Sequence, residues 1–176
     1  TFQDGKPITS EDVAFSFNTF MEKGVPQFRQ YYSLVENVEK LDRLRVKFSL
    51  AEGNKEMIMA LADNYILPKH YWETRDFSEP LNEVPIGSGG YTVSDYKMGQ
   101  YVVYERLKDY WANDLPVNKG QNNFDSIRYD YFRDQNVAFE AFKAGEYDFR
   151  EENISKNWAT LYEGEKFDSG EIVKRE

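Results

Sequence analysis

The chain opens on a phrase that leaves its backbone little choice: Thr1-Phe2-Gln3-Asp4-Gly5-Lys6-Pro7-Ile8-Thr9-Ser10-Glu11-Asp12-Val13-Ala14-Phe15-Ser16-Phe17. Asp4-Gly5 favours a tight turn, because glycine accepts a positive φ without steric cost. Pro7 fixes its own φ and drives Lys6 towards an extended conformation. Thr9 or Ser10 can then cap a helix, and Glu11 and Asp12 in its first turn suit the positive helix end. Val13, Phe17, Phe20 and Met21 recur at the spacing of one helix face. Phe15 lies off that stripe, so the helix is expected to bury two sides. Gly24 and Pro26 end it.

Downstream, Leu44-Arg45-Val46-Lys47-Phe48-Ser49-Leu50 alternates apolar and polar residues. That predicts a half-buried strand with Leu44, Val46, Phe48 and Leu50 on the core side, paired through Asp42-Arg43 with a less regular strand from Val35 to Leu41. Lys55 to Ala62 reads as a short helix with Met57, Ile58 and Leu61 apolar. Ile66 to Trp72 reads as an extended piece entering a helical turn. Residues 74–90 are rich in loop formers and end in Gly87-Ser88-Gly89-Gly90, the expected boundary between two substructures. A hairpin follows, Tyr91–Tyr96 with Tyr101–Leu107, turning near Met98-Gly99-Gln100. After a polar loop, a strand is predicted over Ile127–Phe132 and a helix over Gln135–Ala144 with Gly145 as its C-cap. An extended segment, Asp148–Asn153, leads to a short helix from Ser155 to Tyr162, with Ser155 as cap. Mixed strands and helices give an α/β layered architecture.

Composition narrows the function classes. Phe 13, Tyr 13 and Trp 3 in 176 residues supply enough apolar area for a real core. The net charge of −9 is spread over both halves with no basic cluster, which argues against nucleic-acid binding, where phosphates need grouped Lys and Arg. The chain has no cysteine, which removes disulfides and thiol chemistry. Apolar runs are too short to span a bilayer; the sequence shows no signal peptide, which in a piece of a longer protein says nothing about location.

Catalytic constellations are weak. The glycine cluster at 87–90 precedes a strand, so it fails the context of a phosphate cradle, which needs a helix N-terminus. His70 is the only histidine; Pro68, Lys69, Tyr71 and Trp72 around it offer no metal-ligand spacing and no triad. Glu151 and Glu152 are adjacent, and adjacent residues of a strand face opposite ways, so they make no acid–base pair by themselves. Phe28, Arg29, Tyr31 and Tyr32 could wall a ligand site, although packing explains them as well. Trp72, Trp111 and Trp158 are expected as core anchors.

Five phrases in fixed order carry a family resemblance: the opening segment; Gly87-Ser88-Gly89-Gly90-Tyr91; Lys108-Asp109-Tyr110-Trp111; Phe124-Asp125-Ser126-Ile127-Arg128; and Ala138-Phe139-Glu140-Ala141-Phe142-Lys143-Ala144-Gly145-Glu146-Tyr147-Asp148. They run over nearly the whole chain and resemble the family 5 extracellular solute-binding proteins. The departure is Gly90, where the family usually has proline. Asp114-Leu115-Pro116-Val117-Asn118-Lys119-Gly120 and Lys156-Asn157-Trp158-Ala159-Thr160 resemble the Yej-type branch, which is linked with oligopeptides, murein-derived peptides and the peptide antibiotic microcin C.

The resemblance implies a periplasmic-binding-protein-like fold of type II. Two lobes would close over the ligand, and a peripheral domain would sit beside them. Residues 1–85 would be the latter part of that peripheral domain and 86–176 a middle segment of the first lobe, so the chain resembles an internal piece of a longer protein. It further implies a periplasmic monomer without cofactor that captures short peptides or peptide conjugates and delivers them to an ABC permease. By the same resemblance Asn153 would reach the ligand backbone, with Glu152 or Arg150 on a ligand charge and all three open to solvent in this piece. Phe28 and Arg29 are the further candidates. A carboxylate-dependent hydrolase and a sensory protein docking on a chemoreceptor are the alternatives.

Overall fold

A computed structural model describes residues 1–175. The order of elements is α1 (Ser10–Lys23), α2 (Pro26–Tyr31), β1 (Val35–Lys40), β2 (Val46–Leu50), α3 (Lys55–Ala62), α4 (Lys69–Trp72), β3 (Tyr91–Lys97), β4 (Tyr101–Arg106), β5 (Ser126–Asp130), α5 (Gln135–Ala144), α6 (Ser155–Thr160) and α7 (Glu165–Asp168). Two compact units share them. One comprises 1–95 and 103–127, the other 96–102 and 128–176. The loop at 74–90 therefore lies inside the first unit.

In the first unit Asp12 closes the N-terminal turn of α1. Its carboxylate accepts from the Thr9 N–H at 2.9 Å and from the Thr9 hydroxyl at 2.7 Å, which satisfies a donor that the helix itself cannot. The same side chain accepts from the Lys69 N–H at 3.0 Å and so ties α4 to α1. One turn on, the Ser16 hydroxyl donates to the Asp12 carbonyl at 2.5 Å and accepts from the Leu67 N–H at 2.7 Å. The helix does bury two sides, but the second is polar: Asp12 and Ser16 are buried, whereas Phe15 is only half-buried.

The apolar side packs Phe17 with Tyr32, Met57 and Ala60, flanked by Phe28, Val38, Phe48 and Leu50. Phe17 meets Tyr32 and Phe48 edge-on at 5.6 and 5.5 Å, a geometry that places ring edge against ring face. On α3, Met57 and Ala60 turn inward while Ile58 remains exposed. Trp72 is buried as expected and Trp158 half-buried; Trp111 is exposed instead, and Ala112 takes the buried position beside it.

Strands β1 and β2 pair antiparallel, with an irregularity between Val35 and Asn37. Val46, Phe48 and Leu50 are half-buried and Arg45 and Lys47 exposed, as the alternation requires. Leu44 does not belong to that face and is 74% exposed. The Asp42 carboxylate accepts from the N–H groups of Leu44 and Arg45 at 2.9 and 3.0 Å, so the backbone is still turning there and Leu44 never enters the ladder.

Strands β3, β4 and β5 form a three-stranded sheet in that order. Gly99, with φ 70°, closes the hairpin between β3 and β4. Near the start of β3, the Gln3 amide donates to the carbonyls of Gly89 and Tyr91 at 3.2 and 2.8 Å, and its oxygen accepts from the Gly87 N–H at 3.2 Å. The glycine cluster is thus a backbone turn clasped by one side chain. Gly90 is buried, and a Cβ there would stand 2.8 Å from the Asn122 amide nitrogen and 3.2 Å from the Tyr110 ring.

Candidate functional site

The second unit is organised by α5. Asp134 caps it, accepting from the N–H groups of Asn136 and Val137 at 2.8 and 3.0 Å. Gly145 closes it at φ 81°, with its N–H bonded to the last turn. That left-handed residue lets the chain reverse into 147–154.

Along this segment exposure alternates: Phe149, Glu151 and Asn153 are exposed, whereas Arg150 and Glu152 are turned inward. The Arg150 and Glu152 side chains retain only 10% and 5% of their accessible surface and face each other at 3.7 Å. The expectation that they stand open to solvent is therefore corrected. Three nitrogens of the Arg150 guanidinium are engaged. Nε donates to the Tyr162 hydroxyl at 3.0 Å, Nη1 to the Tyr147 hydroxyl at 3.3 Å and Nη2 to Gln135 Oε1 at 3.1 Å. Tyr147 in turn donates to the Ala138 carbonyl of α5 at 2.7 Å.

Glu152 completes the network. One oxygen accepts from the Ile154 N–H at 2.9 Å; the other accepts from the Tyr162 hydroxyl at 3.1 Å and the Asn157 amide at 3.5 Å. The bond from the Ile154 N–H leads the causes that hold the Glu152 carboxyl below the usual glutamate range, with Tyr162, Asn157 and Arg150 adding to it against desolvation. Burial raises the Tyr162 phenol, which keeps it a neutral hydroxyl able to accept from Arg150 and donate to Glu152 at once. Tyr162 is seated against Phe139 at 4.8 Å and Trp158 at 5.4 Å. Ser155 is the first residue of α6 and not its cap; Ile154 occupies the cap position, and its N–H is satisfied by Glu152.

A concavity of about 430 Å³ adjoins this network in the same unit, lined by Gln100, Arg128, Asp130, Tyr131, Phe132, Glu146 and Tyr147. Arg128 lies over the Tyr101 ring at 3.9 Å and pairs with Asp130 at 2.8 Å.

The other candidates belong to the first unit. Phe28 stacks on Phe20 and Tyr32 at 4.9 and 5.2 Å. Arg29 Nη1 donates to the Met21 and Gly24 carbonyls at 3.3 and 3.4 Å, closing the end of α1. Phe28 packs against the apolar cluster, and Arg29 is exposed. His70 faces Asp4, with Nε2 2.7 Å from Oδ2, and meets the Phe2 ring at 5.9 Å. Among the described residues no group of His, Cys, Asp and Glu is placed to hold a metal ion, and no helix is long and apolar enough to cross a membrane.

Of the five candidates, then, Arg150 and Glu152 are brought together and Asn153 faces outward beside them. Of the residues that hold the pair, Tyr147 and Asn157 lie in phrases that carry the resemblance, but nothing in the sequence marks them, Gln135 or Tyr162 as partners of Arg150 and Glu152. The one usable signal was the two-residue period of the segment, which puts Asn153 on the face of Glu151 and Phe149.

Comparison with known proteins gives these features a setting. YejA of Escherichia coli strain K12, described as uncharacterized, is 51% identical over 175 residues, covering 99% of this chain and 29% of that protein. A probable peptide-binding YejA of Agrobacterium fabrum is 40% identical over 181 residues, covering 98% of this chain and 29% of that protein. The chain thus spans about three tenths of the length of these relatives. Among solved structures, the oligopeptide-binding protein AppA of Bacillus subtilis in complex with a nonapeptide superposes with a TM-score of 0.67 at 29% identity, over 83% of this chain and 29% of that one. Residues 1–175 match the middle part of the bacterial extracellular solute-binding proteins, family 5, and the chain belongs to that family.

Proposed function

We propose that the parent protein is the solute-binding component of an ABC importer, taking short peptides or peptide conjugates into a cleft between two lobes and passing them to a membrane permease. It works outside the cytoplasmic membrane, in the periplasm, and performs no catalysis. The observation that carries this reading is the segment 147–154. It forms no regular strand and bends at Asp148, but exposure alternates from Phe149 to Asn153; an ion pair holds it from behind, and it offers Asn153 on its open side. An amide on a segment held in this way suits the backbone of a peptide, which presents a donor and an acceptor at every residue. The names of the relatives, a probable peptide-binding protein and an oligopeptide-binding protein, support the same ligand class.

Residues 86–176 belong on this reading to the first lobe, and 1–85 to the peripheral domain. Asn153 is the ligand contact, while Arg150 and Glu152 hold the segment that carries it. Phe28 and Arg29 support the peripheral domain. A hydrolase gains no support from Glu151 and Glu152, whose opposite orientations leave no acid pair.

The test is titration of di- to octapeptides and murein peptides into the full-length protein by calorimetry. Saturable binding is expected. Asn153→Ala should remove one or two ligand hydrogen bonds of about 1 kcal/mol each, weakening binding roughly 5- to 30-fold while the protein still folds. Unchanged affinity would remove Asn153 from the site.

A further inference from the structure

The alternation along 149–153 divides the segment into a holding side and a presenting side. On the holding side Arg150 and Glu152 spend their charges on each other and on Tyr147, Tyr162, Gln135 and Asn157. Neither is left with a charge to offer a ligand: breaking such a pair to bind something else would strand its partner in a desolvated place. On the presenting side Phe149 is 76% exposed, and Glu151 and Asn153 are exposed with it. Among the described residues no ion pair involves Glu151, and Glu152, the nearest carboxylate in sequence, is already neutralised by Arg150. The presenting side therefore carries one uncompensated negative charge, with an aromatic ring on one side of it and an amide on the other.

We propose that Phe149, Glu151 and Asn153 form a single contact row, in which Glu151 is the specificity-determining residue and takes a cationic group of the ligand. This rests on the peptide-binding reading above. Alternating exposure is the pattern of an extended chain, in which residues two apart stand about 6.5–7 Å from each other, also the spacing of alternate side chains on an extended peptide. The row can then engage one face of such a peptide in register. Asn153 meets its backbone, Glu151 a positive charge, and Phe149 an apolar group or the flank of that cation, since an aromatic face attracts cations. Arg150 and Glu152 are positioning residues: they set the phase of the row and do not touch the ligand. The cation can be the amino terminus or a basic side chain, and the chemistry required of Glu151 is the same.

Three probes separate these sources in the full-length protein: tetra-alanine with a free amino terminus, N-acetyl-Ala-Lys-Ala-Ala, and N-acetyl-tetra-alanine. Glu151→Gln removes the charge and keeps the shape at an exposed position, so the thermal midpoint should not move. The variant should bind at least one of the two cationic probes about 10-fold or more weakly, the loss expected for a charged hydrogen bond. The uncharged probe should keep its affinity within about twofold. Phe149→Ala should weaken every probe that the protein binds. Cationic probes bound as well by Glu151→Gln as by the unaltered protein, or all three weakened alike, would overturn the assignment of Glu151. Failure of the unaltered protein to bind any of the three would instead remove the peptide reading on which the row rests.

Discussion

Glu152 is nearly closed off from solvent, and every bond it makes requires it to be ionised or favours that state. Its carboxyl titrates below the ordinary glutamate value, chiefly because the Ile154 N–H is bonded to it. A group whose folded value is depressed stabilises the fold above its unfolded value. That contribution is lost as the pH falls through the folded value. Its stabilisation is therefore complete at neutral pH, begins to fall near pH 4.3, the ordinary glutamate value, and goes as the medium becomes more acidic. Thermal melts of the full-length protein should show Glu152→Gln less stable at pH 7, with the gap to the unaltered protein narrowing below about pH 4. A gap of constant size across that range would mean that Glu152 is not ionised in its network.

Other residues are decided by burial alone. Phe17 is at the centre of an apolar cluster and 4% exposed, so Phe17→Ala should cost about 3–5 kcal/mol in denaturant unfolding. Leu44, in the turn before β2, should tolerate Leu44→Ser within about 0.5 kcal/mol. The register of β2 was readable from the sequence because period-two alternation is a local pattern. The status of Leu44 was not, because the Asp42 carboxylate extends the turn by two residues and the alternation carries no mark of that.

At the scale of elements, the helices that could be read in advance were those with chemistry at both ends. The α5 helix, Gln135–Ala144, was read with Gly145 as its C-cap, and the structure adds Asp134 as the cap at its start. Asp134→Ala should cost about 1 kcal/mol through two lost cap bonds. Gly145→Ala should cost about 1–2 kcal/mol, because an L side chain resists the left-handed backbone. Both are measurable as shifts of the denaturation midpoint at constant slope. The polar side of α1 was less legible. Asp12 and Ser16 look like solvated residues in the sequence, yet their partners, Lys69 and Leu67, lie 57 and 51 positions away. The Arg150–Glu152 network has the same character on a shorter scale, since Gln135 and Tyr162 lie 15 and 12 positions from Arg150. Long-range partners leave no local pattern, so the segment 148–153 could be placed from the sequence, but the reason it keeps its shape could not.

At the scale of the whole molecule, the family and fold were legible because five short phrases recur in order, and the match over residues 1–175 bears them out. This chain corresponds to 29% of the length of each of the two YejA relatives. A cleft between lobes requires surfaces from both, and the row on 149–153 is one wall of it on our reading. The central claim is therefore about capture without turnover by the full-length protein. The measurement that tests it most directly is calorimetric titration of a mixed-sequence peptide set, with mass spectrometry of the peptides recovered afterwards. The account predicts saturable one-to-one binding and peptides recovered intact. Cleaved peptides, or no saturable heat from any of them, would contradict it.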